Sequence, residues 1–392
     1  MPSAASSRVV ETSPTAETVD EERLAAMVGF ALLAGLALAL LYAFLIAGGT
    51  HPRLYDFHTF WLAARDYLHG RNPYPAGIRG PVSRGDWFVY PAPVAALFAP
   101  LAVLPYSVAA GVMTCALLAA SVAAFWLVGV RDWRCYALAF ASLPLLKALN
   151  LGTITALLML AVACVWSARD RRGWRLAVAL AAAVVLKLFL WPLLVWAVAT
   201  GRRREAGRAV LIGVLASIAA WLPVLGSLSH YPSLLHALAV HEAWSGFGVA
   251  GLVGAAGASH ATAALVATYL APLAVLAAWV FARRLPERQS LAATVAVAVV
   301  VSPVVWEHYL ALGSLCIALC APALSLAWFA PLILWVIPGQ QAWGSSWRIL
   351  LALVFLAVPL SASAGWSRAR AGKPERARSG GDEHELAGGV TG

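Results

Sequence analysis

Tyr55-Asp56-Phe57-His58-Thr59-Phe60-Trp61 puts an acid, a histidine and aromatic side chains directly after a long apolar run. A carboxylate at a water–lipid boundary can act as a general base if it reaches an acceptor hydroxyl. Asp56 could equally cap a helix, since aspartate accepts hydrogen bonds from first-turn amides. Asp56-Phe57-His58 is not a DxD element, and no acid pair at metal-binding spacing follows it, so the pattern gives little support to a divalent metal.

Three further places carry polar groups inside apolar sequence. Lys187 lies in Val185-Leu186-Lys187-Leu188-Phe189-Leu190-Trp191-Pro192. At a bilayer centre it would cost roughly 2.5–3.5 kcal/mol, so it must face water or a partner, or snorkel to an interface. A lipid phosphate would suit it as a partner. Lys147, near Asn150 and a span end, is the better candidate for snorkelling. Ser302-Pro303-Val304-Val305-Trp306-Glu307-His308-Tyr309 breaks another apolar run. It reads either as an aromatic-belt turn with a solvated histidine or as a histidine held near a phosphate. Trp87-Phe88-Val89-Tyr90-Pro91-Ala92-Pro93 reads as an aromatic anchor before a proline-started helix. Gly246-Phe247-Gly248-Val249-Ala250-Gly251 fits GxGxxG but lacks a preceding strand, which makes the match accidental.

The elements that must position these residues are membrane helices. Apolar residues form 61% of the 392 positions and charged residues only 12%, about half the charged share of a soluble domain (~25%). The expected fold is an all-α polytopic bundle of about twelve spans, the shorter ones re-entrant or paired. Candidate spans are 24–47, 106–130, 174–200, 206–225, 261–282 and 347–366, with shorter ones at 93–104, 136–149, 152–168, 291–305, 308–320 and 323–337. Residues 1–23 read as a polar cytoplasmic tail, 24–366 as the membrane domain, and 367–392 as a disordered cytoplasmic tail. Segments 48–90 and 226–260 would face outward. In the first, Phe57, Phe60, Trp61, Ala64 and Leu68 recur at helical spacing, the pattern of an amphipathic helix lying at the membrane surface.

The net charge of +10 sits in loops such as Arg202-Arg203-Arg204 and Arg283-Arg284. This is the usual basic flank of spans beside anionic lipid, not a nucleic-acid footprint. With the N-terminus inside, Arg131 and Arg169–Arg175 fall outward, against the positive-inside rule. The five cysteines form no CxxC pair and read as small apolar packing residues.

The order of these pieces resembles glycosyltransferase family 87, the polyprenyl-phosphate-sugar-dependent branch of the GT-C superfamily, which includes the phosphatidylinositol-mannoside mannosyltransferase PimE. The resemblance rests on Asp56 followed by Ala63-Ala64, Leu68, Gly70 and Pro73-Tyr74; then Tyr90-Pro91 with Pro93; Lys187 with Pro192; and Ser302-Pro303 with Trp306 and His308. This chain has Gly152-Thr153-Ile154-Thr155 where the family often has Gly-Gln-x-Asn, and Pro91-Ala92-Pro93 where it often has two consecutive prolines. The resemblance implies a GT-C bundle in the cell membrane with its site on the outer face. There it would move a sugar, mannose by this likeness, from polyprenyl phosphate to a lipid-linked or cell-envelope glycan, with inversion. Asp56 would be the base, His308 and Lys187 would hold the departing phosphate, and Tyr90, Trp306 and Glu307 would contact substrate. No metal or cofactor is expected, because the lipid-phosphate sugar is itself a substrate. A transporter or flippase for a lipid or small solute is the rival reading, since charges within membranes also mark transport paths.

Overall fold

A computed structural model describes residues 28–29, 54–74, 88–171, 173–337 and 341–371, with side chains to residue 359. The expected span 24–47, the loop 75–87 and both tails lie essentially outside them. The described residues form helices and no strand. In chain order these are α1 (Tyr55–Leu68), α2 (Ala92–Ala102), α3 (Tyr106–Val128), α4 (Trp133–Phe140), α5 (Leu143–Leu151), α6 (Thr155–Ala168), α7 (Trp174–Leu186) and α8 (Pro192–Ala199). They continue with α9 (Arg203–Trp221), α10 (Tyr231–Glu242), α11 (Val249–Ala255), α12 (His260–Tyr269), α13 (Ala271–Arg284), α14 (Glu287–Val300), α15 (Ala311–Cys320) and α16 (Ser346–Ala371).

The described residues bear out an all-helical fold but not the full set of about twelve spans. Among the described residues, three helical stretches are long and apolar enough to cross a membrane, Tyr106–Val128, Arg203–Ser227 and His260–Arg284. A fourth arises if α5 and α6, bent by 115° at their junction, count as one broken span. Several other apolar runs fold as helices of 10–17 residues. Apolar composition reports burial, in lipid or in protein, and cannot tell a full crossing from a short helix packed among others.

The long helix α3 shows how the bundle is organised. Pro105 starts it, and Gly129, at φ 105°, ends it with its N–H on the Trp126 carbonyl. Ala109, Met113, Leu117, Ala120, Ala124 and Val128 make a buried stripe at helical spacing, and α6 packs along α3. Val108, Val112, Leu118, Val122 and Trp126 remain exposed and apolar, as a lipid-facing side requires. At the centre, every residue of α15 is buried.

The basic loops gather at one end. Arg288 donates to the carbonyls of Val128 (3.1 Å) and Leu319 (3.2 Å). Arg202 donates to the Arg169 carbonyl (2.9 Å), and Arg169 and Arg202 both pair with Glu287. The loops near Arg131 and Arg169 therefore lie beside those near Arg202 and Arg288. The expected outward side for Arg131 and Arg169 required run 93–104 to cross and run 174–200 to cross once, whereas α2 has only 11 residues and 174–200 breaks at Lys187. At the other end of α3, Tyr106 donates to the Leu54 carbonyl and packs on His58. A helix of 23 residues separates the two ends by about 35 Å.

The aromatic stripe of α1 also finds a different environment from the expected lipid boundary. Phe57, Phe60, Ala63 and Ala64 are buried within the protein, against α2 and the start of α3. Trp61 donates its indole N–H to the Leu104 carbonyl. Amphipathic spacing identifies an apolar face; whether lipid or protein covers it depends on the rest of the fold.

Candidate active site

The end of the bundle opposite the basic loops holds the predicted residues. Asp56 lies one residue inside α1, whose N-cap is Leu54, and no side chain caps this helix. The capping role is thus excluded for the observed geometry. The helix start is fixed from outside: Leu54 donates its N–H to the Asn150 carbonyl at 2.8 Å. Gly152, at φ 70°, permits this approach, since a Cβ there would stand 2.7 Å from the Phe57 Cβ and 2.9 Å from the Leu54 Cδ2. The elbow between α5 and α6 thereby seats the helix that carries Asp56.

Lys187 interrupts what would otherwise be a single helix. It is extended (φ −152°, ψ 110°) between α7 and a 3-10 turn over Leu188–Leu190, with Pro192 starting α8. Its ammonium lies 3.7 Å from the ring centre of Tyr90, 5.1 Å from that of Tyr309 and 5.8 Å from that of Trp306. Aromatic faces stabilise a cation that has left bulk water. Phe60 of α1 meets the Tyr90 ring edge-on at 5.0 Å. The Tyr90 backbone is held by the Tyr74 hydroxyl, which donates to its carbonyl at 3.0 Å.

Asp56 and Lys187 interact electrostatically. Burial pushes the Asp56 carboxyl up to about 7, and the charge of Lys187 pulls against that rise. Both side chains are only partly shielded from solvent, so they line a recess that water can enter. A carboxylate poised near neutrality can take up a proton at physiological pH.

The Ser302–Tyr309 motif closes the recess. Trp306 is the cap of a 3-10 turn, Glu307–Leu310, that runs into α15. His308 is buried among Trp306 (5.7 Å) and Tyr309 (4.4 Å), and its Nε2 has no hydrogen-bond partner. Lys187 and Lys147 are both within electrostatic reach of it. The solvated-histidine reading is therefore wrong for His308. The structure brings Asp56, Tyr90, Lys187, Trp306 and His308 together, and Glu307 turns another way. It is wholly buried and pairs with Lys147 at 2.6 Å, with its second oxygen unpartnered. Lys147 does not snorkel, because a buried carboxylate draws it inward. Lysine is otherwise confined to Lys187 and Lys373 in a chain that favours arginine, and that scarcity was the available signal for Lys147.

Tyr309 is a contributor that residue spacing leaves unassigned, and Phe60, expected on the surface stripe, packs on Tyr90 instead. The glycine-rich stretch 246–251 is a packing element. A Cβ on Gly251 would lie 1.9 Å from the Gly246 carbonyl oxygen, and the Phe247 N–H donates to the Val305 carbonyl at 2.8 Å. It braces the segment before Trp306.

An apolar groove of about 440 Å³ runs beside the recess between α7 and α9, lined by Pro91, Val184, Val185, Leu188, Leu194 and Trp221 among others. Pro91 and Leu188, the chain neighbours of Tyr90 and Lys187, are among its lining residues.

No curated protein and no solved structure matches the chain. The model of glycosyltransferase family 87 matches residues 88–306, more than half of the chain. That match takes in Tyr90, Lys147, Lys187 and Trp306, while Asp56 and His308 flank it. The chain therefore belongs to glycosyltransferase family 87 and is a membrane glycosyltransferase.

Proposed function

We propose that the protein transfers a sugar, mannose by family likeness, from a polyprenyl-phosphate donor to a lipid-linked or cell-envelope glycan acceptor, with inversion. The carrying observation is the opposition of Asp56 and Lys187 in one recess, with the Asp56 carboxyl near neutrality. In this reading the acceptor hydroxyl gives its proton to Asp56 as its oxygen attacks the anomeric carbon. The bond from that carbon to the phosphate oxygen breaks, and the electron pair leaves with the polyprenyl phosphate. Lys187 and the His308 imidazole take the charge and hydrogen bonds of the departing phosphate. Tyr90 and Trp306 hold Lys187 and border the sugar.

Two features support a lipid donor. The apolar groove is lined by Leu188 and Pro91, next in the chain to Lys187 and Tyr90, which suits a prenyl chain with its phosphate at the cation. The basic loops collect at the far end of α3, and the positive-inside rule then favours an outward recess. Glu307 is reassigned from substrate contact to support of the wall, through Lys147.

The test uses Asp56→Asn in proteoliposomes supplied with labelled polyprenyl-phosphate mannose and a glycolipid extract as acceptor. Loss of transfer by a fully folded variant is expected. Wild-type transfer by that variant would remove Asp56 from the base role.

A further inference from the structure

A second cluster of polar and aromatic side chains touches the recess through Trp306 and has no part in the transfer step. Trp306 has its ring 5.8 Å from the Lys187 ammonium and donates its indole N–H to Glu242, at the end of α10, at 3.4 Å. The Gln341 amide donates to the same Glu242 oxygen, and His241 lies 3.7 Å from the other. Beside them stands Trp343, 64% exposed, in a left-handed conformation (φ 50°) that a bulky residue rarely adopts. It is held there: the N–H groups of Ala342 and Trp343 donate to the Ser245 carbonyl at 2.7 and 3.3 Å. Its ring meets Trp244 edge-on at 6.0 Å, and Trp244 is itself stacked on His260 at 4.7 Å.

We propose that Trp343, Gln341 and Glu242 form the subsite for a sugar ring of the acceptor. A sugar presents apolar C–H faces and a rim of hydroxyls. It is recognised by an aromatic face for the former and planar amide or carboxylate groups for the latter. Trp343 supplies an open aromatic face, while Gln341 and Glu242 supply the planar groups. The carboxylate also sorts the two substrates. A phosphate is repelled by Glu242 and drawn to Lys187, whereas a neutral sugar ring is not. A tryptophan that merely anchored the protein in lipid would need neither a strained backbone nor a half-buried carboxylate beside it. The assignment to the acceptor rests on the proposed transfer reading, but sugar binding at this place is separable from it.

The test is saturation-transfer NMR on the full chain in lipid nanodiscs with methyl α-mannopyranoside, methyl α-arabinofuranoside and methyl β-glucopyranoside. At least one glycoside should receive saturation on its ring protons. Trp343→Asn keeps a residue tolerant of φ above zero and removes the aromatic face. It and Gln341→Ala should each weaken binding about tenfold, the effect of one lost contact. An excess of a short prenyl phosphate should leave the signal in place, which assigns the sugar to the acceptor side; displacement would overturn that assignment. Failure of every glycoside to bind, or unchanged binding in both loop variants, would overturn the subsite. Glycoside binding by a wild-type protein that never transfers mannose from the polyprenyl donor would leave the subsite standing and defeat the donor reading alone.

Discussion

The Lys187 ammonium lies 3.7 Å over the ring of Tyr90, and Leu188 and Pro91, their chain neighbours, line the apolar groove. The lysine is an end-of-helix residue in an extended conformation, so its charge is presented at a break in the bundle and is not spent on a helix face. Removing it should weaken donor binding and slow turnover. Lys187→Met is expected to lower kcat/KM for the polyprenyl donor by about 10²–10³, the usual effect of losing one charge-stabilising group. Tyr90→Leu, which removes only the aromatic face, should cost roughly 0.5–2 kcal/mol in donor binding, and Tyr90→Phe less. Donor titrations at saturating acceptor separate the three.

The pH profile follows from Asp56. Its carboxyl is raised to about 7 by burial, and the base role proposed for it requires the deprotonated form, so kcat/KM should fall as pH drops below about 7. The Lys187 charge opposes the rise. Lys187→Met should therefore move the acid limb to higher pH. An acid limb that stays in place in that variant would separate the two groups.

The same shift has a stability consequence with a definite sign. A carboxyl whose folded value lies above its unfolded value holds more protons when folded, so stability declines as pH rises from about 4 to about 7. Asp56→Asn removes that decline. The variant should melt at a higher temperature than the wild type above pH 7 and at a similar temperature near pH 4, in nanodiscs monitored by tryptophan fluorescence.

Part-exposed Lys147 and fully buried Glu307 form an ion pair that supports the wall next to His308. Lys147→Met alone leaves a buried carboxylate uncompensated and should destabilise by about 3–5 kcal/mol. The double variant Lys147→Met/Glu307→Leu should recover most of that loss. Thermal melting of the single and double variants measures it.

Gly152→Ala tests the seat of α1. The added Cβ would meet Phe57 and Leu54 at a positive φ, costing about 1–3 kcal/mol in backbone strain alone. Because those residues flank Asp56, transfer should fall more steeply than folded yield. Equal loss of both would indicate a purely structural role for the glycine.

Much of this site could be read from residue types. Asp56, Lys187 and His308 stood out because ionisable groups in apolar sequence need a partner or a purpose, and they do converge. Lys147 and Glu307 are each conspicuous in apolar sequence, but 160 residues separate them, and nothing local shows that they pair. The apolar stripe of α1 was legible as a face, but not what covers it. The loop charges were legible too. The side to which Arg131 and Arg169 belong depended on whether run 93–104 crosses and on the break of run 174–200 at Lys187.

By itself the sequence determined that this chain is a helical membrane protein, and which few polar residues could do chemistry. Both follow from composition and spacing, which act locally through burial and helical periodicity. Only the tertiary structure decided that Asp56 faces Lys187, that Glu307 turns to Lys147, and that α1 buries its aromatic residues in protein. Those outcomes depend on contacts between segments far apart in the chain. Each is set by the shape of the packed bundle, where a glycine lets two backbones meet or a helix break presents a charge.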